Sequence, residues 1–246
     1  MTDRGAVVVT GAGQGIGAGI AARLGADGWH VWCVDLVGAN AATVAERIVA
    51  SGGSAVGLAC DLGDPASIAD LWSAIDAAGS TATALVNNAG IFPRNPAVDI
   101  PLEEWNHVLA VNLTGGFLMD QAFVRRLAGR AAAIVNIASG QALRPGPMGA
   151  HYAASKGAIL NLTRALAAEW GPIGVRVNTI VPGVVDTAQP RLVLGDDDFA
   201  AIAAANPLGR LATPDDIAAG VAILLSADAA FITGQMLAVN GGGMMF

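Results

Sequence analysis

Tyr152 and Lys156 are the only tyrosine and the only lysine in the chain, and they lie four residues apart. Residues at this spacing share one face of an α-helix, so the two side chains are expected to be neighbours. A free tyrosine has a pKa of about 10, which is too high for a base near neutral pH. A nearby ammonium group stabilises the phenolate and lowers this pKa, so the spacing predicts an acid–base pair. The alternative is a tyrosine packed on a surface helix beside a solvated lysine.

A glycine-rich segment, Thr10–Gly17, follows the first apolar run and precedes a stretch with helical periodicity. Glycines let the backbone turn tightly and approach a pyrophosphate, and the start of a helix offers free N–H groups to an anion. The position therefore predicts a dinucleotide site. The residues predicted to bind it here are Gly11, Gln14, Gly15, Ile16 and Gly17.

Asp35 ends the second apolar run, 18 residues after Gly17. A carboxylate at this place accepts hydrogen bonds from both ribose hydroxyls of an adenosine and repels a 2′-phosphate. Its neighbours Gln14, Leu36 and Val37 carry no charge, whereas a 2′-phosphate site needs Arg or Lys. We therefore predict NAD(H) as the cofactor, in preference to NADP(H).

Short apolar runs alternate with helical stretches along the whole chain. This pattern is typical of strands buried on both faces of a parallel sheet, and it predicts one α/β domain over residues 1–246 with a doubly wound sheet. The predicted strands are Ala6–Thr10, Val31–Val34, Ala55–Leu58, Ala84–Val86, Ala133–Ile137, Val175–Ile180 and Met236–Val239.

Proline marks three predicted helix starts, at Pro65, Pro101 and Pro214. The one irregular stretch, 186–207, is long for a connection in such a domain, and we interpret it as a lid over the substrate. Its acidic run, Asp196–Asp198, is interpreted as a solvated helix start.

Composition excludes several function classes. A net charge of -7 argues against a nucleic-acid partner, which needs clustered Lys and Arg. Cys33 and Cys60 have no metal-ligand spacing and are expected to be buried free thiols, so we predict no metal site. No apolar run approaches the ~20 residues of a membrane span, and Met1–Arg4 begin no signal peptide. We expect a soluble, cytoplasmic protein.

Further motifs recur along the chain in a fixed order. They are Asn87–Gly90, Asn112, Ser139, Pro182-Gly183, Thr187, Ile232–Gln235 and Asn240–Gly242. Together with the glycine-rich segment and the Tyr–Lys pair, they make essentially the whole chain resemble the short-chain dehydrogenases/reductases. The resemblance implies a Rossmann-like sheet of about seven strands flanked by helices.

The resemblance also implies a catalytic set. Tyr152 would be the general acid/base, and Lys156 would lower its pKa and hold the nicotinamide ribose. Ser139 would bond the substrate oxygen, and Asn112 would hold a water that links Lys156 to solvent.

The resemblance implies further cofactor contacts. Asp61 and Leu62 would face the adenine, Asn88 would line the dinucleotide groove, and Thr187 would bind the nicotinamide carboxamide. Without the family, an ordinary loop or cap role is the less favoured alternative for Asp61, Asn88 and Thr187. The remaining predicted cofactor residues are Ala89, Gly90, Pro182, Gly183 and Val185.

The substrate is expected to contact Ser139, Gln141, Met148 and Tyr152. Other residues predicted to line its pocket are Phe92, Arg94, Leu143, Arg144, His151, Val184, Leu192 and Leu194. Most are apolar, which favours a small to mid-sized hydrophobic alcohol or ketone.

Three of these pocket residues are ambiguous. Arg94 and Arg144 could each bind a carboxylate or phosphate, or lie on the surface without a ligand. His151 resembles a second base, but adjacent helical residues point apart, which favours a packing role.

These features predict an NAD(H)-dependent oxidoreductase that interconverts a secondary alcohol and a ketone. The alternatives are a 3-oxoacyl-thioester reductase, a sugar or steroid dehydrogenase, and an idle dinucleotide-binding sensor or scaffold. The resemblance further implies a homotetramer, assembled through helices over about 102–127 and 152–170 and through the C-terminal segment. The apolar ending Met244–Phe246 would fit burial at such an interface or over a neighbouring pocket.

Overall fold

The seven apolar runs form the strands of one parallel sheet in a computed structural model of the chain, which describes residues 5–191 and 193–245. The strand order is β3-β2-β1-β4-β5-β6-β7. The chain adds β2 and β3 on one side of β1 and β4 to β7 on the other side, so the strand order reverses between β1 and β4. This is the predicted doubly wound arrangement. The strands are β1 (Ala6–Thr10), β2 (His30–Asp35), β3 (Ser54–Ala59), β4 (Ala82–Asn87), β5 (Ala132–Ile137), β6 (Val175–Pro182) and β7 (Met236–Val239).

Helices connect the strands and cover both faces of the sheet. They are α1 (Gly15–Ala26), α2 (Gly38–Ala50), α3 (Pro65–Ala77), α4 (Leu102–Leu109), α5 (Gly116–Arg126), α6 (Ala150–Trp170), α7 (Ala188–Arg191), α8 (Asp196–Ala205) and α9 (Pro214–Leu225). Pro65 and Pro214 begin their helices as predicted. The prediction for Pro101 was wrong by one residue, because its backbone is extended and the helix begins at Leu102.

The central strands β1 and β5 are buried along their whole length. One apolar cluster, which includes Ile20 and Ile217, covers one face of the sheet, and a second, which includes Trp72 and Phe123, covers the other. The expectation of burial on both faces was wrong for β3 and β7, whose residues are partly or fully exposed because both are edge strands.

The stretch 186–207 is less irregular than predicted, since it contains α7 and α8. Asp196–Asp198 form the first turn of α8 and are exposed, as interpreted from the sequence. Acidic residues are favourable there because the start of a helix is electropositive. The N-terminal segment Met1–Arg4, the predicted pocket residue Leu192 and the terminal Phe246 lie outside the described residues.

Within the described part of the chain, no helix is both long and apolar enough to cross a membrane. The same residues contain no group of three or more His, Cys, Asp or Glu arranged to hold a metal ion. Cys33 and Cys60 are buried free thiols.

A buried polar cluster lies where β4 and β5 meet the helices behind them. Asp120 of α5 accepts a hydrogen bond of 2.6 Å from the Nδ2 of Asn87, which also donates to the Oδ1 of Asn136. Asn136 donates to Thr163, whose hydroxyl bonds to that of Thr179. Burial raises the pKa of the Asp120 carboxyl to about 8, although the hydrogen bond from Asn87 lowers it, so burial favours the protonated acid at neutral pH.

The pKa of Asp120 predicts a pH dependence of stability. Its folded-state pKa of about 8 exceeds its ordinary value of 3.8. Between these values the folded chain binds more protons than the unfolded chain, so the free energy of unfolding falls as pH rises. Asp120→Asn has no carboxyl group to ionise at this position, so its free energy of unfolding should not fall in this way. We expect the variant to be more stable than the unmodified protein by about 1–3 kcal/mol at pH 8, and by less at pH 5.

Urea unfolding of both proteins at the two pH values measures this difference. Asp70→Asn, at an exposed position, is the matched control and should show no pH-dependent gain. A destabilised Asp120→Asn protein at pH 8 would show that the carboxylate is charged in the fold.

Candidate active site

The glycine-rich segment forms a tight turn between β1 and α1. Gly11 has a φ of 63°, and a Cβ added to it would lie 2.9 Å from the Cα of Ala89. A Cβ on Gly17 would overlap the carbonyl oxygen of Gly11. Glycine is therefore required at both positions. The Nδ2 of Asn88 donates to the carbonyl oxygens of Thr10 and Gly11, which ties this turn to the end of β4.

A cleft of about 1010 Å³ runs along the carboxyl ends of the strands. In doubly wound sheets, ligands bind in this crevice where the strand order reverses. The structure brings every residue predicted to bind the cofactor to the wall of this cleft. These residues are Gly11, Gln14, Gly15, Ile16, Gly17, Asp35, Asp61, Leu62, Asn88, Ala89, Gly90, Tyr152, Lys156, Pro182, Gly183, Val185 and Thr187.

Asp35 lies at the cleft end of β2, beside the glycine turn. Its carboxylate accepts hydrogen bonds from the backbone N–H groups of Gly13, at 2.9 Å, and Val37, at 3.1 Å. These two bonds hold the anion at the place where an adenosine ribose is expected. The arginine and lysine residues that line the cleft, Arg94, Arg144 and Lys156, follow β4 and β5 in the chain, away from Asp35.

Tyr152 and Lys156 lie on one face of α6, as their spacing predicts. Lys156 is 4% exposed, and its Nζ donates a hydrogen bond of 2.8 Å to the carbonyl oxygen of Ile137 at the end of β5. The same Nζ lies 5.8 Å from the centre of the Tyr152 ring. On its other side, the Tyr152 ring packs against Phe92, with 4.4 Å between the ring centres.

The predicted lowering of the Tyr152 pKa is not found in the chain without its cofactor. Burial raises the pKa of Tyr152, and a hydrogen bond with Ser139 offsets only part of that rise. Burial also lowers the pKa of Lys156 to about 8. The physical reason is that desolvation disfavours both charged forms. In addition, the ammonium donates to Ile137 and makes no direct bond to the phenol.

Ser139 lies two residues beyond β5 and caps the short 3-10 turn Gly140–Ala142. Its Oγ accepts a hydrogen bond from the backbone N–H of Gln141 at 3.2 Å. This bond fixes the hydroxyl beside Tyr152, on the cleft side. The two side chains can therefore share one substrate oxygen.

Asn112 lies in a π-helical segment, Ala110–Gly115, between α4 and α5. An ordinary helix over about 102–127 was expected here, and the π-helical segment was missed. The side chain of Asn112 bonds to both the N–H and the carbonyl of Ile91 and donates to Ser155. A separate cavity of about 20 Å³ is lined by Asn112 and Lys156, which is enough for one water molecule.

The substrate end of the cleft contains only part of the predicted set. Ser139, Gln141, Tyr152, Phe92, Arg94, Arg144, Val184 and Leu194 line it. Met148 and Leu143 do not line the cleft: Met148 has a φ of 63° and is 42% exposed, and Leu143 is 37% exposed. Their contact with the substrate stays a prediction. Leu192 lies outside the described residues.

A comparison with protein-family models matches residues 11–243 to the model described as Enoyl-(Acyl carrier protein) reductase. The chain belongs to the short-chain dehydrogenase/reductase family. The match spans the glycine turn, the Tyr–Lys pair and the C-terminal glycines, so family membership rests on the whole site.

Known short-chain dehydrogenases/reductases cover nearly the full chain. The D-threitol dehydrogenase of Mycolicibacterium smegmatis is 40% identical over 236 residues, 96% of this chain and 91% of the relative. A structure from Beutenbergia cavernae, assigned as an NAD(P) dependent gluconate 5-dehydrogenase with NADP at low occupancy, has a TM-score of 0.93 and 40% identity, and the match covers 98% and 97% of the two chains.

A third comparison is the 3-ketoacyl-(acyl-carrier-protein) reductase from Brucella melitensis in complex with NADH. It has a TM-score of 0.90 and 33% identity, and the match covers 100% of both chains. Together these relatives show that the chain is an oxidoreductase that acts on CH–OH groups with a nicotinamide dinucleotide.

His151 has the packing role favoured by the sequence. It is fully buried, and its Nε2 lies 2.9 Å from the Oε1 of Glu104 on α4. Asn95 donates to the same carboxylate, and these bonds lower the pKa of Glu104, Asn95 contributing more than His151. The contact joins the segment after β4 to the start of α6, and hence to Tyr152. It was missed because Glu104 lies 47 residues before His151.

Further residues line the cleft that were not predicted to do so. They include Asn40, His107, Asn206 and Met244. Asn40 and His107 lie on helices. The spacing of apolar residues in a helix does not show whether one polar side chain faces the cleft. Asn206 joins the end of α8 to the C-terminal glycines through a bond to the carbonyl oxygen of Asn240.

The glycine turn yields a testable prediction. Gly17→Ala places a methyl group against the carbonyl oxygen of Gly11, so the turn must open. We expect stability to fall by about 1–3 kcal/mol and the Kd for NADH to rise about tenfold or more. Thermal unfolding and NADH fluorescence titration measure the two effects.

Gly171→Ala is the matched control for Gly17→Ala. Among the described residues, no atom lies within 4 Å of its added Cβ, so NADH affinity should not change. Normal NADH affinity in Gly17→Ala would exclude the turn as the pyrophosphate site.

Proposed function

We propose that the chain is an NAD(H)-dependent oxidoreductase that interconverts a small secondary alcohol and the corresponding ketone, with Tyr152 as general acid/base. The observation that supports this most directly is the placement of the Tyr152 phenol. It lies beside Ser139 on the wall of the cleft, with the buried ammonium of Lys156 behind it. Proton transfer at the substrate oxygen therefore has a donor, a stabilising hydroxyl and a cation in one place.

The proposed mechanism assigns the proton steps to residues of this chain. When bound, the nicotinamide supplies the transfer of hydride to or from the carbinol carbon. Ser139 donates a hydrogen bond to the substrate oxygen and stabilises the charge that develops there. Tyr152 accepts the alcohol proton during oxidation and returns it during reduction.

Lys156 has the donors required to hold the cofactor. An ammonium group offers three donors, and the bond to Ile137 uses one of them. Of the other two, one can bond to the nicotinamide ribose and one to the water of the proposed relay. The water-sized cavity beside Lys156 and Asn112 supports the proposed relay, in which a water held by Asn112 carries protons away from Lys156.

The remaining cofactor roles follow the order of residues along the cleft. We propose that Asp35 binds the adenosine ribose, Asp61 and Leu62 face the adenine, and Thr187 binds the nicotinamide carboxamide. The backbone of the glycine turn, with Gln14, Gly15 and Ile16, holds the pyrophosphate.

The stretch 186–207 is proposed to act as a lid. Pro190 and Leu194, in or beside α7, and Ile202 of α8 face the cleft. Arg191 ties the stretch together through ion pairs with Asp186, at 2.6 Å, and Asp196, at 3.2 Å. Closure of such a segment excludes water from the reacting groups.

A 3-oxoacyl-thioester reductase is the second candidate, because the Brucella melitensis reductase resembles the chain over its full length. A sugar dehydrogenase is a third, in view of the D-threitol relative. An idle sensor or scaffold is disfavoured, since Asn112, Ser139, Tyr152 and Lys156 are all present. Turnover assays with a panel of secondary alcohols and ketones separate these possibilities.

We further propose a cytoplasmic homotetramer, as the family suggests. The exposed apolar side chains of Phe231 and Met245 are suited to burial in such an assembly. Sedimentation equilibrium measures the mass of the assembly, and a monomer at assay concentrations would contradict this proposal.

The proposed acid/base role predicts the behaviour of Tyr152→Phe. The substitution keeps the ring against Phe92 and removes only the hydroxyl. We expect kcat to fall about a hundredfold to ten-thousandfold, with NADH binding nearly unchanged. Steady-state rates and NADH titration test this, and near-normal turnover would show that another group moves the proton.

The cofactor preference gives a second prediction. Because a carboxylate repels a 2′-phosphate, kcat/KM should favour NAD⁺ over NADP⁺ by about tenfold or more. Asp35→Asn keeps the shape of the side chain and removes its charge. It should lower the ratio of kcat/KM for NAD⁺ to kcat/KM for NADP⁺ about tenfold. Asp61→Asn is the control, and it should leave the ratio near that of the unmodified protein. An unmodified protein that favours NADP⁺ would refute the role of Asp35.

A further inference from the structure

Arg94 differs from the other arginines that the structure describes. Arg23, Arg126, Arg191 and Arg210 form ion pairs with aspartates. Other arginines bond to carbonyl or amide oxygens or are exposed to solvent. Among the described residues, Arg94 is the one half-buried arginine that bonds to neither a carboxylate nor a carbonyl oxygen.

The position of Arg94 is fixed by aromatic packing. Its guanidinium lies over the ring of Phe92, 5.7 Å from the ring centre, and the Phe92 ring packs at 4.4 Å on that of Tyr152. A cation over an aromatic face is attracted by the ring electrons. The two separations place the guanidinium within about 10 Å of the Tyr152 ring, on the wall of the same cleft.

The charged side chains that line the cleft are grouped by sign, with carboxylates at one end and cations at the other. Its two carboxylates, Asp35 and Asp61, follow β2 and β3. Ser139 follows β5, three strand positions from β2 and therefore about 14 Å away. Among the described residues that line the cleft, the other full charges are cations, on Arg94, Arg144 and Lys156. A chain with net charge -7 thus has an electropositive substrate end.

A second unpartnered group lies at this end. The side-chain carbonyl oxygen of Gln141 is buried and has no hydrogen-bond partner among the described residues, although Gln141 lines the cleft. Buried acceptors are almost always bonded. If the Gln141 side chain turns toward the cleft, a ligand hydroxyl group would supply the missing donor.

We infer that the substrate is a secondary alcohol or ketone that carries a carboxylate, and that Arg94 binds this carboxylate. The inference rests on the proposed function and narrows its substrate class. A guanidinium binds a carboxylate through two parallel hydrogen bonds, and here the packing on Phe92 has already ordered the side chain. The carboxylate is thereby held a few bonds from the carbon whose oxygen contacts Ser139 and Tyr152.

The test compares each hydroxy acid with its uncharged amide. Oxidation of 3-hydroxybutyrate and D-gluconate by NAD⁺ is measured against that of 3-hydroxybutyramide and D-gluconamide, with 2-butanol as a simple alcohol. For at least one acid, we expect kcat/KM to exceed that of its amide by about tenfold to a hundredfold. Arg94→Met should abolish this preference, mainly through the KM of the acid.

Three further variants make the test specific. Arg94→Lys keeps the charge but not the paired donors, so it should restore part of the preference. Arg130→Met removes the same charge from an exposed position outside the cleft and should leave the preference intact. Arg144→Met should also retain it, and a preference that follows Arg144 would overturn the assignment to Arg94.

The outcomes separate this inference from the proposed function. If the amides or 2-butanol are oxidised as well as the acids, the carboxylate inference is wrong and the proposed function stands. If the acid preference survives in Arg94→Met, the inference is also wrong. If none of the five compounds reacts while NADH binds normally, the proposed oxidation of small secondary alcohols is wrong, and so is the carboxylate inference.

Discussion

The buried ammonium of Lys156 is the constraint on which the rest of the site depends. Removing a cation from water costs several kcal/mol unless hydrogen bonds replace the lost hydration. One replacement is present, the carbonyl oxygen of Ile137 at 2.8 Å. Burial accordingly lowers the pKa of Lys156 to about 8. The two donors that the ammonium does not use for Ile137 can bind hydroxyl groups.

The parallel sheet determines what can be placed around this cation. The carboxyl ends of β1, β2, β4 and β5 meet at one edge, so the segments that follow them share one cleft. The glycine turn after β1 and Asp35 after β2 form the nucleotide end. Ser139 after β5 and Tyr152 on α6 form the chemical end. The sheet thereby separates the acidic from the basic part of the cleft.

Much of this arrangement could be predicted from sequence because its signals are local. Apolar runs identify the seven strands, and the order of strands places Asp35, Ser139 and the glycine turn at the same edge. The only tyrosine and the only lysine identify the chemical end. Each of these inferences needs residues close in the chain, together with the general rule that parallel strands end together.

The remaining features depend on contacts between distant residues. Asn112 lies in the π-helical segment, and its side chain bonds to Ile91, 21 residues earlier. Neither the Glu104–His151 pair nor the burial of Asp120 has a signal in the neighbouring sequence. The type of a polar residue does not show which distant polar group it will contact. Met148 does not line the cleft, and its left-handed backbone, with a φ of 63°, also has no signal in the sequence.

A crystal structure with bound NADH would test the central claim most directly. The account predicts ribose hydroxyls of the nicotinamide half within about 3.2 Å of the Lys156 Nζ, the nicotinamide ring beside Ser139 and Tyr152, and the adenosine ribose on Asp35. A dinucleotide bound outside the cleft, or a nicotinamide ribose beyond hydrogen-bond reach of Lys156, would contradict it.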